Sequence, residues 1–67
     1  MRIELNGEPV ELPAGASVAH AVDSLGADSA RGVAVAVDGE VVPRGEWAAT
    51  ALSEGQRVEV LHAVQGG

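Results

Sequence analysis

The chain has 67 residues, enough for one domain, and a core of this size buries only about 60% of the surface the unfolded chain exposes. It has no cysteine, which excludes disulfides, thiol catalysis, a thiolate zinc site and an iron–sulfur centre. Ten Asp and Glu stand against four arginines and no lysine, and a net charge of −6 argues against a nucleic-acid partner and suits a basic protein partner.

The N-terminus, Met1-Arg2-Ile3-Glu4, lacks a signal-peptide apolar region, and no apolar run approaches membrane-spanning length. The expectation is a cytoplasmic protein that makes no membrane contact. Ile3 and Leu5 alternate with Arg2 and Glu4, the period of a half-buried strand. Asn6-Gly7 then predicts a hairpin, because both residues tolerate positive φ. A two-residue loop sets Ile3 opposite Val10 and Met1 opposite Leu12, so turn and apolar pattern agree on one register. Glu11 points outward, and Pro9, which has no amide hydrogen, makes this second strand an edge.

Pro13 to Ala16 breaks the pattern, and Ser17 reads as a helix N-cap. At about 100° per residue, Val18, Ala21, Val22 and Leu25 share one arc, with His20, Asp23 and Ser24 opposite. Gly26 is the C′ residue of a helix of about two turns that depends on packing rather than propensity. Residues 27–32 are polar and read as loop.

Val33-Ala34-Val35-Ala36-Val37 is a strand with one bulky and one smooth face, and Asp38-Gly39 predicts a second hairpin. That turn sets Val35 opposite Val42 and Ala36 opposite Val41, and Pro43 ends the strand. Residues 44–50 form a longer connection, with a turn of helix, and Leu52 anchors it in the core. Glu54-Gly55 is another turn. Gln56 to Leu61 alternates again, with Val58 and Val60 inward and Arg57, Glu59 and Leu61 outward. His62 opens a tail, Ala63-Val64-Gln65-Gly66-Gly67. The division is a domain over 1–61 and a flexible tail over 62–67.

Strand, strand, helix, strand, strand, strand gives an α+β roll with one helix packed across a mixed sheet. The short last strand, apolar on its inner side, suits a central place beside the first. This is the β-grasp arrangement, its strand order taken by analogy.

Several stretches carry a resemblance across the whole chain. They are the Ile3-Glu4-Leu5-Asn6-Gly7 hairpin, Val35-Ala36-Val37-Asp38-Gly39-Glu40, Val42-Pro43-Arg44 with Glu46-Trp47, the Glu54-Gly55 turn and the terminal Gly66-Gly67. Together they resemble the ubiquitin-like sulfur carrier proteins, most closely the ThiS type of thiamine biosynthesis. The glycine pair alone is weak evidence; the Pro43-Arg44 to Trp47 segment at that distance from it is more specific.

The resemblance implies a carrier that is not itself an enzyme and holds no cofactor or metal. It implies that a ubiquitin-activating-type adenylyltransferase, using ATP and Mg, adenylates the Gly67 carboxylate. A donor enzyme carrying a persulfide then supplies sulfur, and the resulting thiocarboxylate delivers it to thiazole synthase. Free of partners, the chain is expected to be a monomer. A β-carbon on either terminal glycine would crowd the reacting carboxylate, and Ala63, Val64 and Gln65 supply reach.

Ala34, Ala36, Val41 and Leu61 are candidates for a partner surface on the outer face of the sheet. Arg44 is a further candidate contact, whereas Trp47 reads as the cap of a core with no other aromatic. His20 and His62 lack any metal-ligand or catalytic spacing and read as surface residues; Arg57 and Glu59 read as solvated strand residues. Three other functions fit the sequence: a molybdopterin-synthase-type small subunit, a covalent protein modifier, and a non-covalent β-grasp binding module. The lack of lysine prevents lysine-linked chains of the protein on itself, which weakens the second of these.

Overall fold

The computed structural model describes residues 1–25 and 32–62. The expected C′ glycine at Gly26, nearly all of the 27–32 loop, and the tail from Ala63 to Gly67 lie outside the described residues. Five strands occur in chain order: β1 (Arg2–Leu5), β2 (Glu8–Glu11), β3 (Val33–Val37), β4 (Glu40–Val42) and β5 (Arg57–His62). One helix, α1 (Val18–Asp23), follows β2, and a 3-10 turn spans Arg44–Glu46.

Both hairpins form in the expected register. Ile3 pairs with Val10 across β1 and β2, and Val35 with Val42 and Ala36 with Val41 across β3 and β4. The turns explain why. Asn6 and Gly7 have φ of 51° and 86°, and Asp38 and Gly39 have φ of 50° and 87°, the paired left-handed conformations of the tight hairpin turn. Such a turn fixes which residues face each other, and apolar alternation then sends one set inward. The Met1 amine donates to the Leu12 carbonyl at 2.7 Å and the Leu12 amide donates to the Met1 carbonyl at 2.8 Å, which extends the first hairpin by the expected pair.

The sheet order is β2-β1-β5-β3-β4. β5 is central, parallel to β1 and antiparallel to β3. β2, with Pro9, is an edge as expected. The fold is a β-grasp roll: Val18, Ala21 and Val22 of α1 pack on Ile3, Leu5, Val35, Val58 and Val60 of the sheet, and Trp47 and Leu52 close the core. All of these are buried.

Every N–H of the first turn of α1 has an acceptor, although the helix has only six residues. Ser17 and His20 form a reciprocal capping box, with the His20 amide donating to Ser17 Oγ and the Ser17 amide to His20 Nδ1. The Val18 amide donates to the Thr50 carbonyl at 2.9 Å and the Ala19 amide to the Trp47 carbonyl at 3.2 Å. The connection after β4 thus completes the helix start, and His20 is exposed but holds a structural role the sequence did not suggest. Replacing the cap, Ser17→Ala, is expected to cost about 1 kcal/mol of stability. A urea denaturation midpoint equal to that of the unchanged protein would show the box contributes nothing.

Leu25 departs from the helical arc assigned to it. α1 ends at Asp23, Ser24 caps it through its hydroxyl, which donates to the Ala21 carbonyl at 2.7 Å, and Leu25 is 38% exposed. The serine hydroxyl satisfies a carbonyl of the last turn, so the chain leaves the helix before Leu25 can reach the core face.

Candidate functional site

The site is built on β5, because this strand carries the chain toward the tail. Val58 and Val60 are buried and fix the strand against the core, while Arg57, Glu59 and Leu61 face outward as their alternation predicted. β5 pairs with β3 from Val58, opposite Val37, to His62, opposite Val33. On its other side it pairs with β1 only at Arg57 and Val58, opposite Glu4 and Leu5. β1 then turns away at Asn6-Gly7.

The Asn6 side chain bridges the place where pairing stops. Its backbone amide donates to the Val58 carbonyl at 2.9 Å, and its Oδ1 accepts from the Val60 amide at 2.8 Å. Asn6 therefore does two things at once: it adopts the positive φ of the turn and satisfies an amide that β1 no longer reaches. The first role was legible from Asn-Gly. The second was not, since its partner lies 54 residues away. At the start of β5, Asp38 acts similarly: Oδ1 accepts from the Arg57 amide at 3.0 Å and Oδ2 from Gln56 Nε2 at 3.2 Å. The start and the middle of β5 are thus pinned by turn residues of the two hairpins.

Gly67, Gly66, Gln65, Val64 and Ala63 fall outside the described residues, so the structure shows the point from which they start. From His62, five extended residues span about 17 Å at most.

The outer face of the sheet has two halves. On β3, β4 and β5, Ala34 lies opposite Leu61, and Ala36 lies opposite both Glu59 and Val41. The four expected patch residues therefore share one face. Leu61 is 65% exposed and Val41 73%, the two most exposed large apolar side chains among the described residues. The other half is charged. Arg2 Nε lies 3.3 Å from Glu11 Oε2, and Arg57 Nε lies 3.7 Å from Glu4 Oε2. Glu59 stands where the two halves meet.

Arg44 lies in the 3-10 turn that follows β4. It is exposed and lies over the Trp47 ring, 5.4 Å from its centroid. Trp47 is buried, with Nε1 donating to the Val42 carbonyl at 2.9 Å. It holds the connection against the core, as the sequence suggested for the single aromatic residue.

Among the described residues, no group of three or more His, Cys, Asp or Glu is placed to hold a metal ion. No helix among them is long and apolar enough to cross a membrane.

Comparison with known proteins places this geometry. The profile of the ThiS family matches residues 3–67. Among solved structures, the crystal structure of the thiamine biosynthesis protein ThiS from Geobacter metallireducens is 30% identical, with each chain fully covered and a TM-score of 0.83. The solution structure of a thiamine biosynthesis protein from the same organism is 32% identical, with a TM-score of 0.78 over 100% of this chain and 88% of that one. Two curated relatives are thiazole synthases, from Magnetococcus marinus at 39% identity and Paramagnetospirillum magneticum at 34%. Each aligns with all 67 residues, yet the chain spans about 20% of the length of these relatives.

Proposed function

The chain belongs to the ThiS family, and on that premise we propose that it is the sulfur carrier of thiamine biosynthesis, with the Gly67 carboxylate as its reactive group. The observation that carries this reading is the family match, which runs from Ile3 through the terminal Gly66-Gly67 rather than stopping at the folded body.

The chemistry requires activation. A carboxylate is a poor electrophile, and an acyl-adenylate converts one difficult substitution into two easier ones. The Gly67 carboxylate attacks the α-phosphorus of ATP, held with Mg by a ubiquitin-activating-type adenylyltransferase, and pyrophosphate leaves. The terminal sulfur of a persulfide on a donor enzyme then attacks the acyl carbon and AMP departs. A thiol cleaves the sulfur–sulfur bond and leaves the thiocarboxylate. Thiazole synthase receives the sulfur, a partner suggested by the two relatives of that name. In this reading the chain contributes no catalytic group; it is a protein-sized co-substrate acting in the cytoplasm.

The test is an intact mass after incubation with the adenylyltransferase, ATP, Mg and a persulfide donor. The expected product carries one sulfur in place of one oxygen. An unchanged mass, with an adenylyltransferase shown to be active on a known carrier, would overturn the reading.

The apolar half of the outer face is the expected contact for the adenylyltransferase. Leu61→Asp places a charge at the centre of that contact, and an adenylation rate at least about tenfold lower is expected at unchanged stability. A normal rate in a pyrophosphate-release assay would remove Leu61 from the interface.

A further inference from the structure

We propose that the groove between the Asn6-Gly7 turn and β5 receives a basic side chain of thiazole synthase, with Glu59 as its charge partner. The proposal rests on the sulfur-carrier reading and names a specificity contact within it.

Three carboxylates face outward from the described part of β1, β2 and β5 on this side of the sheet. Glu4 is paired with Arg57 and Glu11 with Arg2. Glu59 makes no ion pair or side-chain hydrogen bond among the described residues. Its position makes that costly for a partner. Glu59 lies directly opposite Ala36 and precedes Leu61 by two residues on the same strand face, so it borders the apolar patch. A partner that covers Leu61 and Ala36 also removes water from this carboxylate. Desolvating a lone charge is unfavourable unless an opposite charge replaces the water. The surface thus favours partners that bring a cation to Glu59 and disfavours purely apolar ones.

The groove supplies the space for that cation. Because β1 turns away at Asn6 while β5 continues, a depression of about 430 Å³ opens between them, lined by Glu4, Asn6, Gly7, Arg57, Glu59 and Leu61. Gly7 presents no side chain at its rim. The Arg57 guanidinium is directed to Glu4, which leaves Glu59 as the carboxylate available to an incoming arginine or lysine.

The choice of thiazole synthase follows from the relatives. Proteins of that name contain a segment matching all of this chain, so the carrier-like segment and the rest of the synthase occur together in one polypeptide. A chain with a net charge of −6 also suits a basic docking surface.

The experiment measures binding of the full chain to its cognate thiazole synthase by titration calorimetry, at low and high salt. The variants are Glu59→Arg, Glu59→Gln and Asp23→Arg. The last makes the same charge change on α1, across the core from the groove. Glu59→Arg is expected to weaken binding at least about tenfold and to flatten its salt dependence, Glu59→Gln about threefold, with Asp23→Arg weaker in effect than either. Circular dichroism checks each fold, and Glu59→Gln carries the test if Glu59→Arg does not fold. Equal losses for Glu59→Arg and Asp23→Arg would reduce the effect to overall charge and overturn the groove contact. Unchanged binding by both Glu59 variants would do the same while leaving the carrier reading intact. No binding by the unchanged chain would overturn the thiazole synthase partnership as well.

Discussion

Deleting Gly67, or extending the chain past it with an affinity tag, is expected to bring sulfur loading to background while the domain keeps its stability. The separation follows from where the core lies. Every buried residue of the described core falls between Ile3 and Val60, and β5 ends at His62. The deletion therefore removes no described core contact. On the proposed sulfur-carrier reading it displaces the reactive carboxylate. Loss of one residue withdraws the carboxylate by about 3.5 Å along an extended chain, and a misplacement of about 1 Å at a reacting centre can cost about a hundredfold. A tag replaces the carboxylate by an amide, which cannot be adenylated. Gly67→Ala keeps the carboxylate and adds one methyl beside it, so a partial loss of about tenfold is expected from crowding rather than abolition. Intact mass spectrometry after sulfur loading reads all three variants. Sulfur uptake by the tagged chain would show that the terminal carboxylate is not the reactive group.

Trp47→Ala is expected to abolish cooperative folding at room temperature. Replacing a buried tryptophan by alanine costs about 3–5 kcal/mol, and a single core below about 70 residues rarely supplies more than that in total. Trp47 is 6% exposed and is the only aromatic residue in the chain. It also holds the connection whose carbonyls at Trp47 and Thr50 receive the first amides of α1, so its loss loosens the helix start. Trp47→Phe keeps most of the volume but removes the indole N–H that donates to the Val42 carbonyl, at a cost of about 1 kcal/mol. Far-UV circular dichroism against urea measures both, because either substitution removes the tryptophan fluorescence. A Trp47→Ala variant with the original midpoint would show that Trp47 is peripheral to the core.

The two predictions separate the roles of body and tail. Sulfur loading tests the terminus without the core, and denaturation tests the core without the terminus. Leu61 and Glu59 lie between these extremes: they are exposed, contribute little to folding, and border the path by which β5 reaches the tail.

The hairpins were legible because their causes are local. Asn6-Gly7 and Asp38-Gly39 specify turns within two residues, and the flanking alternation admits one register for each. The buried face of α1 was legible at Val18, Ala21 and Val22, but not its end, because the Ser24 hydroxyl competes for a carbonyl in a way that periodicity does not record. His20 as a cap partner was masked by its exposure, which reads equally as a solvated surface residue. The candidate patch was legible in part: Ala34, Ala36, Val41 and Leu61 follow from the hairpin register and from the parity of β5. Their meeting on one face also required β5 to lie beside β3.

By itself the sequence determined the strands, both hairpin registers, the inward face of the helix and the choice of Trp47 as the core aromatic, because each depends on neighbours a few residues away. Tertiary structure decided the register of β1 on β5, whose adjacency the sequence offered only by analogy, the Asn6 contact to Val60, the completion of α1 by the 47–50 carbonyls, and the opening of a groove beside Glu59, which has no ion-pair partner among the described residues. These join residues separated by up to 54 positions. No local pattern specifies such contacts; they arise when burying one apolar face forces distant strands side by side and leaves each polar group to find a partner where the backbone places it.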